Sequence, residues 1–266
     1  MENFLTIKSF DKNMKLYLNP EYEELRNDLL KIAEGKYVAN KVFCHKRNVV
    51  EKVTIQGKEY VVKTYKRPNL CNRFAYTYLR KSKAERAYMH AKELLRLGID
   101  TPRPVAYMEK KRKGLFNKGY YVSEYLPYKL MHDAYTELGE HDKEKLTKDF
   151  MDFTIEMHDK KILPLDFNSS NIFYHFDEEE GHYRFAITDI NRMRFGKRPS
   201  TSEIMRSFEQ LGINVKWIYK PALYYCTQKG GDVEYSIFLF LLHRIKSRIK
   251  KGLKLKIKNR KPKDAV

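Results

Sequence analysis

Apolar and polar positions alternate in short runs through much of the first half of the chain, and then follow a helical period through most of the second. The alternation predicts strands over 42–44, 49–55 and 60–65, the last two joined by the tight turn Gln56-Gly57-Lys58. Three antiparallel strands in succession leave an apolar face that needs a second layer. A helix supplies it: Ser82-Lys83-Ala84-Glu85 has capping-box spacing, Tyr88, Ala91, Leu94 and Leu95 recur at helical intervals, and Gly98 ends the run. The proline-stiffened stretch 100–107 leads into a fourth strand. A basic excursion over 110–114 precedes a fifth, 120–125. Five strands with one helix inserted after the third form a small α+β layer structure.

Past Pro127 the period becomes helical. Leu146, Phe150, Phe153 and Met157 mark one face of a helix that leads into Leu163-Pro164-Leu165-Asp166-Phe167-Asn168-Ser169-Ser170-Asn171. Short strands are expected over 171–174 and 183–188, linked by an acidic turn. Ser200-Thr201-Ser202-Glu203 caps a helix bearing Ile204, Phe208 and Leu211, and Asp232 precedes a long helix over 233–249. Residues 1–35 read as an N-terminal extension, 36–126 as the sheet-bearing part, 127–249 as the helical part and 250–266 as a basic tail. No internal repeat is visible.

At 266 residues and 31.9 kDa, with 42% apolar and 14% aromatic residues, the chain can bury a substantial core, which excludes disorder over most of its length. The three cysteines, Cys44, Cys71 and Cys226, have no metal-ligand spacing and suggest a reducing compartment. The N-terminus lacks a signal-peptide pattern, and no uncharged stretch is long enough to span a bilayer, so a soluble, cytoplasmic protein is expected. The net charge of +19 points to a polyanionic partner without choosing among nucleic acid, an anionic membrane and a phosphorylated glycolipid. Between Arg244 and Lys263 there are eleven Lys or Arg and no acidic residue, interleaved with Ile245, Ile249, Leu253, Leu255 and Ile257. A solvated terminus needs no such apolar residues; a segment lying on an anionic surface does.

Four polar residues in apolar surroundings carry candidate chemistry. Lys63 sits in Tyr60-Val61-Val62-Lys63-Thr64-Tyr65, where a strand lysine is costly without a partner. Asp166 and Asn171 stand five residues apart on a loop that runs into an apolar strand, the spacing at which a carboxylate orients a hydroxyl and a carboxamide holds a metal. Asp189 ends an apolar strand eighteen residues after Asn171. An edge-strand lysine, a self-bonded Asn/Ser turn and a strand-capping aspartate explain these features one at a time. None of them explains why a strand lysine, a glutamate-bearing helix, a Pro-rich turn, Asp-x4-Asn and a strand-terminal Asp occur in this order.

In that order, and in the stretches Arg80-Lys81-Ser82-Lys83-Ala84, Leu97-Gly98-Ile99-Asp100-Thr101-Pro102-Arg103-Pro104, Leu165 to Asn171 and Thr188-Asp189-Ile190-Asn191-Arg192, the chain resembles the lipopolysaccharide core kinases of the Kdo/WaaP type, within the protein-kinase-like superfamily. The resemblance implies an α+β, two-lobed protein-kinase-like fold, with a small antiparallel-sheet lobe carrying one helix and a mainly helical second lobe. It implies ATP and Mg²⁺ as cofactors and a sugar hydroxyl of the lipid A inner core as acceptor, at the cytoplasmic face of a bacterial inner membrane. On the matching positions Asp166 is the catalytic carboxylate, Lys63 clamps the ATP phosphates and Asn171 and Asp189 are metal ligands. Glu85 pairs with Lys63 if the helix begins a turn before Ser82, with Glu93 as the other candidate; Lys46, Arg47 and Asn48 cover the phosphates, and Glu124, Tyr125 and Leu126 bind the adenine edge. The chain has Pro164-Leu165-Asp166 where protein kinases have His-Arg-Asp, and Asp189-Ile190-Asn191 in place of Asp-Phe-Gly, which argues against a regulated protein kinase more than against phosphotransfer. A monomer, held to an anionic glycolipid and to the membrane by its basic tail and without a stable nucleic-acid partner, is the expectation. A protein or RNA-associated kinase, or a catalytically weak glycolipid-binding relative, are the alternatives.

Overall fold

A computed structural model describes residues 13–45, 48–213, 215 and 218–259. The fold is mixed α+β and divides into two compact units: residues 1–128 with 186–192, and residues 129–185 with 193–266.

The first unit contains β1 (Met14–Leu18), α1 (Arg26–Glu34), β2 (Lys41–His45), β3 (Asn48–Ile55), β4 (Lys58–Tyr65), α2 (Leu70–Phe74), α3 (Lys83–Arg96), β5 (Pro104–Arg112) and β6 (Leu115–Glu124). Its strands make one six-stranded sheet in the order β1-β5-β6-β4-β3-β2, antiparallel throughout. The core on one face joins Val53, Tyr60, Val62, Val105, Met108 and Val122 from the strands to Leu25, Leu29 and Ile32. The N-terminal segment is therefore not a separate extension. Met14–Leu18 adds an edge strand against β5, and α1 completes the core. Local pattern hides this because the partner of Leu16 is Met108, far along the chain, and a five-residue edge strand carries too few alternations to announce itself.

On α3 the sequence signal holds at the cap and over most of the apolar face, with Leu95 the exception, exposed to solvent. The Ser82 Oγ accepts the Glu85 N–H at 3.1 Å, and the buried Ala84, Ala87, Tyr88, Ala91 and Leu94 repeat along one face. The helix lies close over the sheet at Gly119, where a Cβ would stand 3.2 Å from the Ala84 Cβ, so a side chain there would push the two layers apart. Between β4 and α3 the chain inserts α2 and a π turn, Ala75–Leu79, which the sequence pattern did not predict. The buried Arg73 anchors this insertion by donating from Nε to the Phe116 carbonyl (2.8 Å) and from Nη2 to the Arg112 carbonyl (3.0 Å).

The second unit is mainly helical: β7 (Lys129–Leu130), α4 (Met131–Glu137), α5 (Glu140–Asp159), β8 (Leu163–Pro164), β9 (Ile172–Asp177), β10 (His182–Ile187, its last two residues counted with the first unit), β11 (Met193–Arg194), α6 (Thr201–Gln210), α7 (Tyr219–Lys229) and α8 (Val233–Asn259). Strands β10, β9 and β7 form a small sheet in that order, and β8 pairs with β11. Leu146, Phe150 and Met157 of α5 are buried as their spacing predicted, whereas Phe153 is only partly so. The Ser200–Glu203 capping box starts α6. The last helix runs ten residues beyond 249, through part of the stretch read as a tail; residues 260–266 lie outside the described residues.

Candidate active site

Lys63 sits inside β4, paired in register with Val50 of β3 on one side and Tyr121 of β6 on the other. Two neighbouring strands fix its backbone, so this is not an edge-strand lysine. Its Nζ stands 2.7 Å from Asp189 Oδ1, and the side chain is only 13% exposed. The ammonium also lies 5.7 Å from the centre of the Tyr65 ring.

Asp189 reaches Lys63 through a tethered segment that the first unit recaptures after the chain has entered the second. The Ile187 N–H donates to the Asp100 carbonyl (3.0 Å), the Thr101 hydroxyl donates to the Ile187 carbonyl (2.7 Å), and His90 Nδ1–H donates to the Ile190 carbonyl (2.7 Å). Burial holds the His90 pKa below its ordinary value, which favours the neutral ring. Asp189 itself adopts φ +53°, the left-handed region that aspartate and asparagine enter more readily than most side chains. The buried Asn191 donates its carboxamide N–H to Asp189 Oδ1. Beside this pair burial drives the Tyr65 phenol pKa well up, assisted by the Asp189 carboxylate.

In the second unit the stretch 163–171 is held at both ends. The β8–β11 pairing fixes Leu163 and Pro164, and the Phe167 ring is buried against Phe150 with centroids 5.8 Å apart. Gln210 of α6 accepts the Phe167 N–H at 3.3 Å and donates to the Leu165 carbonyl at 3.4 Å. Leu165 and Asp166 are thereby left exposed between buried neighbours. Asn168 Oδ1 accepts from the N–H and the hydroxyl of Ser170, both at 2.9 Å, and the Asn171 N–H donates to the Asn168 carbonyl at 2.8 Å. This is the self-bonded turn that composition suggested, and it has a consequence: Asn171 folds back so that its carboxamide N–H meets the Asp166 carbonyl at 3.4 Å. The carboxamide oxygen is on the other branch of that group and is of the hard-donor type that a magnesium ion takes.

Several expected residues fall elsewhere. Glu85 stands within 4 Å of Lys15 and Lys81 (3.9 and 3.8 Å), and the ion pair made by Lys63 is with Asp189. Pairing with Lys63 required α3 to begin before Ser82. It begins at Ser82, so Glu85 occupies the first turn, where a carboxylate is favoured by the helix dipole. Glu93 pairs with Arg96 instead. Lys46 and Arg47 lie outside the described residues; Asn48 opens β3 opposite Tyr65. The N–H groups of Glu124 and Tyr125 are taken by the carbonyls of Arg103 (3.0 Å) and Glu59 (3.1 Å), and the Glu124 carboxylate accepts the Tyr22 hydroxyl at 2.8 Å. Arg194 is structural. It grips Glu203, whose pKa falls to about 2 beside the guanidinium. His90 had no local signal, while Thr101 and Asn191 stand in stretches that carry the family resemblance but were assigned no role.

A family model described as the lipopolysaccharide kinase (Kdo/WaaP) family matches residues 24–229. The chain belongs to that family. It is accordingly an ATP-dependent kinase of the lipopolysaccharide core. Among solved structures, "WaaP in complex with acyl carrier protein" is similar at 14% identity and a TM-score of 0.61, covering 88% of this chain and 98% of that one, a likeness of fold. The kinase-methyltransferase WbdD matches at 17% identity and a TM-score of 0.46, over 77% of this chain and 45% of that one. No curated protein sequence matches the chain. In the Kdo/WaaP frame the match begins at Glu24, so the family's fold includes α1, in keeping with the burial of Leu29 and Ile32.

Proposed function

We propose that this Kdo/WaaP kinase transfers the γ-phosphate of ATP to a Kdo or heptose hydroxyl of the lipid A inner core, at the cytoplasmic face of the inner membrane. The observation that carries this reading is the Lys63–Asp189 ion pair, which joins a lysine from mid-strand to an aspartate on a strained turn 126 residues later. A packed core does not need such a pair. A nucleotide site does, because the lysine is held and aimed until phosphate oxygens replace the carboxylate.

Each residue then has one task. Asp166 accepts or orients the proton of the sugar hydroxyl, whose oxygen attacks the γ-phosphorus in line while the bond to the bridging oxygen breaks and ADP leaves. Lys63 holds the phosphates, assisted by Asn48 with Lys46 and Arg47. Asn171 and Asp189 supply the carboxamide and carboxylate oxygens that Mg²⁺ takes, and the metal, when bound, neutralises phosphate charge. With the Glu124 and Tyr125 N–H groups occupied, adenine recognition falls to the Glu124 carbonyl and the Leu126 N–H. Glu85 has no part in this scheme.

Incubation with Mg²⁺, γ-labelled ATP and inner-core lipid A, a protein mixture or RNA discriminates among acceptors. Label on the lipid, lost in Asp166→Ala and in Asp189→Ala, is the expected result. Label on protein or RNA alone, or undiminished lipid labelling in both variants, overturns the reading.

A further inference from the structure

The final helix buries one face and leaves an apolar stripe on the opposite one. Ser236, Leu239 and Phe240 face inward, and α8 packs on α6 and α7. Tyr235, Phe238, Ile245, Ile249 and Leu253 are each more than half exposed. With the half-buried Leu242 they fall within about 80° of one another around the helix and extend for about 27 Å. Exposed Lys246 and Lys250 border the stripe on one side and exposed Arg248 on the other. From Tyr235 to Asn259 there are eight Lys or Arg and no Asp or Glu.

We propose that this face of α8 lies in the plane of an anionic lipid bilayer, with the stripe in the acyl boundary and the flanking cations at the headgroups. A single turn of exposed apolar residues is commonplace on protein surfaces; a stripe five turns long whose charged border, beyond Glu234 in the first turn, is all cationic is not. A surface helix with these proportions matches the requirements of an interfacial helix, and each cation near an anionic surface adds attraction. The spacing 235, 238, 242, 245, 249 also resembles a coiled-coil seam, which would recruit a second copy of the chain. In that arrangement Gly252 falls on the seam, and the flanking cations Lys246 and Arg248 find no acidic residue between 235 and 259 to pair with, whereas an anionic surface supplies the opposite charge. Charge thus selects the bilayer over self-association. The contact begins well before the basic tail, at Tyr235, and the described helix rather than a loose terminus makes it.

The proposal rests on the preceding functional reading only in placing the acceptor in a membrane, and vesicle binding is read without ATP or acceptor, so the two can fail separately. The full-length protein is floated with phosphatidylcholine vesicles, with and without phosphatidylglycerol, alongside the double variant Ile245→Glu/Ile249→Glu. Both proteins are checked by thermal melt, and their oligomeric state is measured by sedimentation. Flotation with the anionic vesicles is expected for the wild type, falling by about tenfold or more in the variant at an unchanged melting temperature. A Lys246→Gln/Lys250→Gln variant, equally folded, is expected to lose binding less steeply and mainly at low salt. Equal flotation of the wild type and the glutamate variant, equal binding to neutral vesicles, or no wild-type flotation at all overturns the proposal. So does a wild-type dimer that the glutamate variant turns into a monomer, which assigns the face to a second copy.

Discussion

Asp189 combines a left-handed backbone with a charge that Lys63 needs, and two substitutions separate these roles. Asp189→Asn keeps a side chain that tolerates positive φ and removes only the charge; Asp189→Ala adds backbone strain of about 1–2 kcal/mol. Both are expected to lose phosphotransfer, and only the alanine variant should also show a clearly lowered melting temperature. Lys63→Met is expected to reduce kcat/KM by about 10²–10³-fold, the scale for removing one preorganised electrostatic contact. Steady-state kinetics at saturating Mg²⁺ check this. His158 offers a readout of a different kind. It is 2% exposed, bonded through Nδ1 to the Tyr225 hydroxyl at 2.9 Å, and burial pushes its pKa down from 6.5 to about 4. Below pH 6.5 the unfolded chain takes up a proton that the folded one refuses, so stability is full above that pH and falls as pH drops toward 4, by about 3 kcal/mol in the limit. Melting temperatures measured from pH 7 to pH 4 should show this slope, and His158→Phe should flatten it.

Among the elements, α3 and the N-terminal segment contrast most. The N-cap, first turn and most of the buried face of α3 were legible because each signal lies within a few residues of the helix. The place of β1 and α1 in the core was not, because their burial depends on β5 and β6, which follow some ninety residues later. Leu29 is fully buried in that core, so Leu29→Ala is expected to cost about 2–5 kcal/mol by chemical denaturation. A destabilisation below about 1 kcal/mol would mean that α1 is an extension that adds little to the core. The insertion of α2 escaped notice for a related reason: its anchor, Arg73, is a charged residue whose partners are carbonyls of a distant hairpin.

For the whole molecule the dominant physical quantity is the +19 charge. Family membership turns that charge from a general sign of a polyanionic partner into a property suited to an anionic core glycolipid. Attraction of this kind is screened within about 8 Å at physiological salt. The KM for the acceptor is therefore expected to rise steeply as salt increases from about 50 mM to 500 mM, with kcat changing much less. Kinetics with a water-soluble, detergent-free core oligosaccharide measure this without involving a membrane. An acceptor KM insensitive to salt would show that the surplus charge plays no part in substrate capture.

By itself the sequence determined the class of the fold, the strand that carries Lys63, the loop from Asp166 to Asn171 and the position of Asp189. Each of these is written in short-range patterns of apolar spacing, caps and turns. Only the tertiary structure decided which charges meet. It paired Lys63 with Asp189 and gave Glu85 to Lys15 and Lys81. It also used up the Glu124 and Tyr125 N–H groups inside the fold and turned the stripe of α8 outward. Spacing fixes the element on which a side chain stands and the face it occupies, but an ion pair forms over a few ångströms. Which partner comes that close depends on where α3 starts and on how the segment 186–192 is tied down.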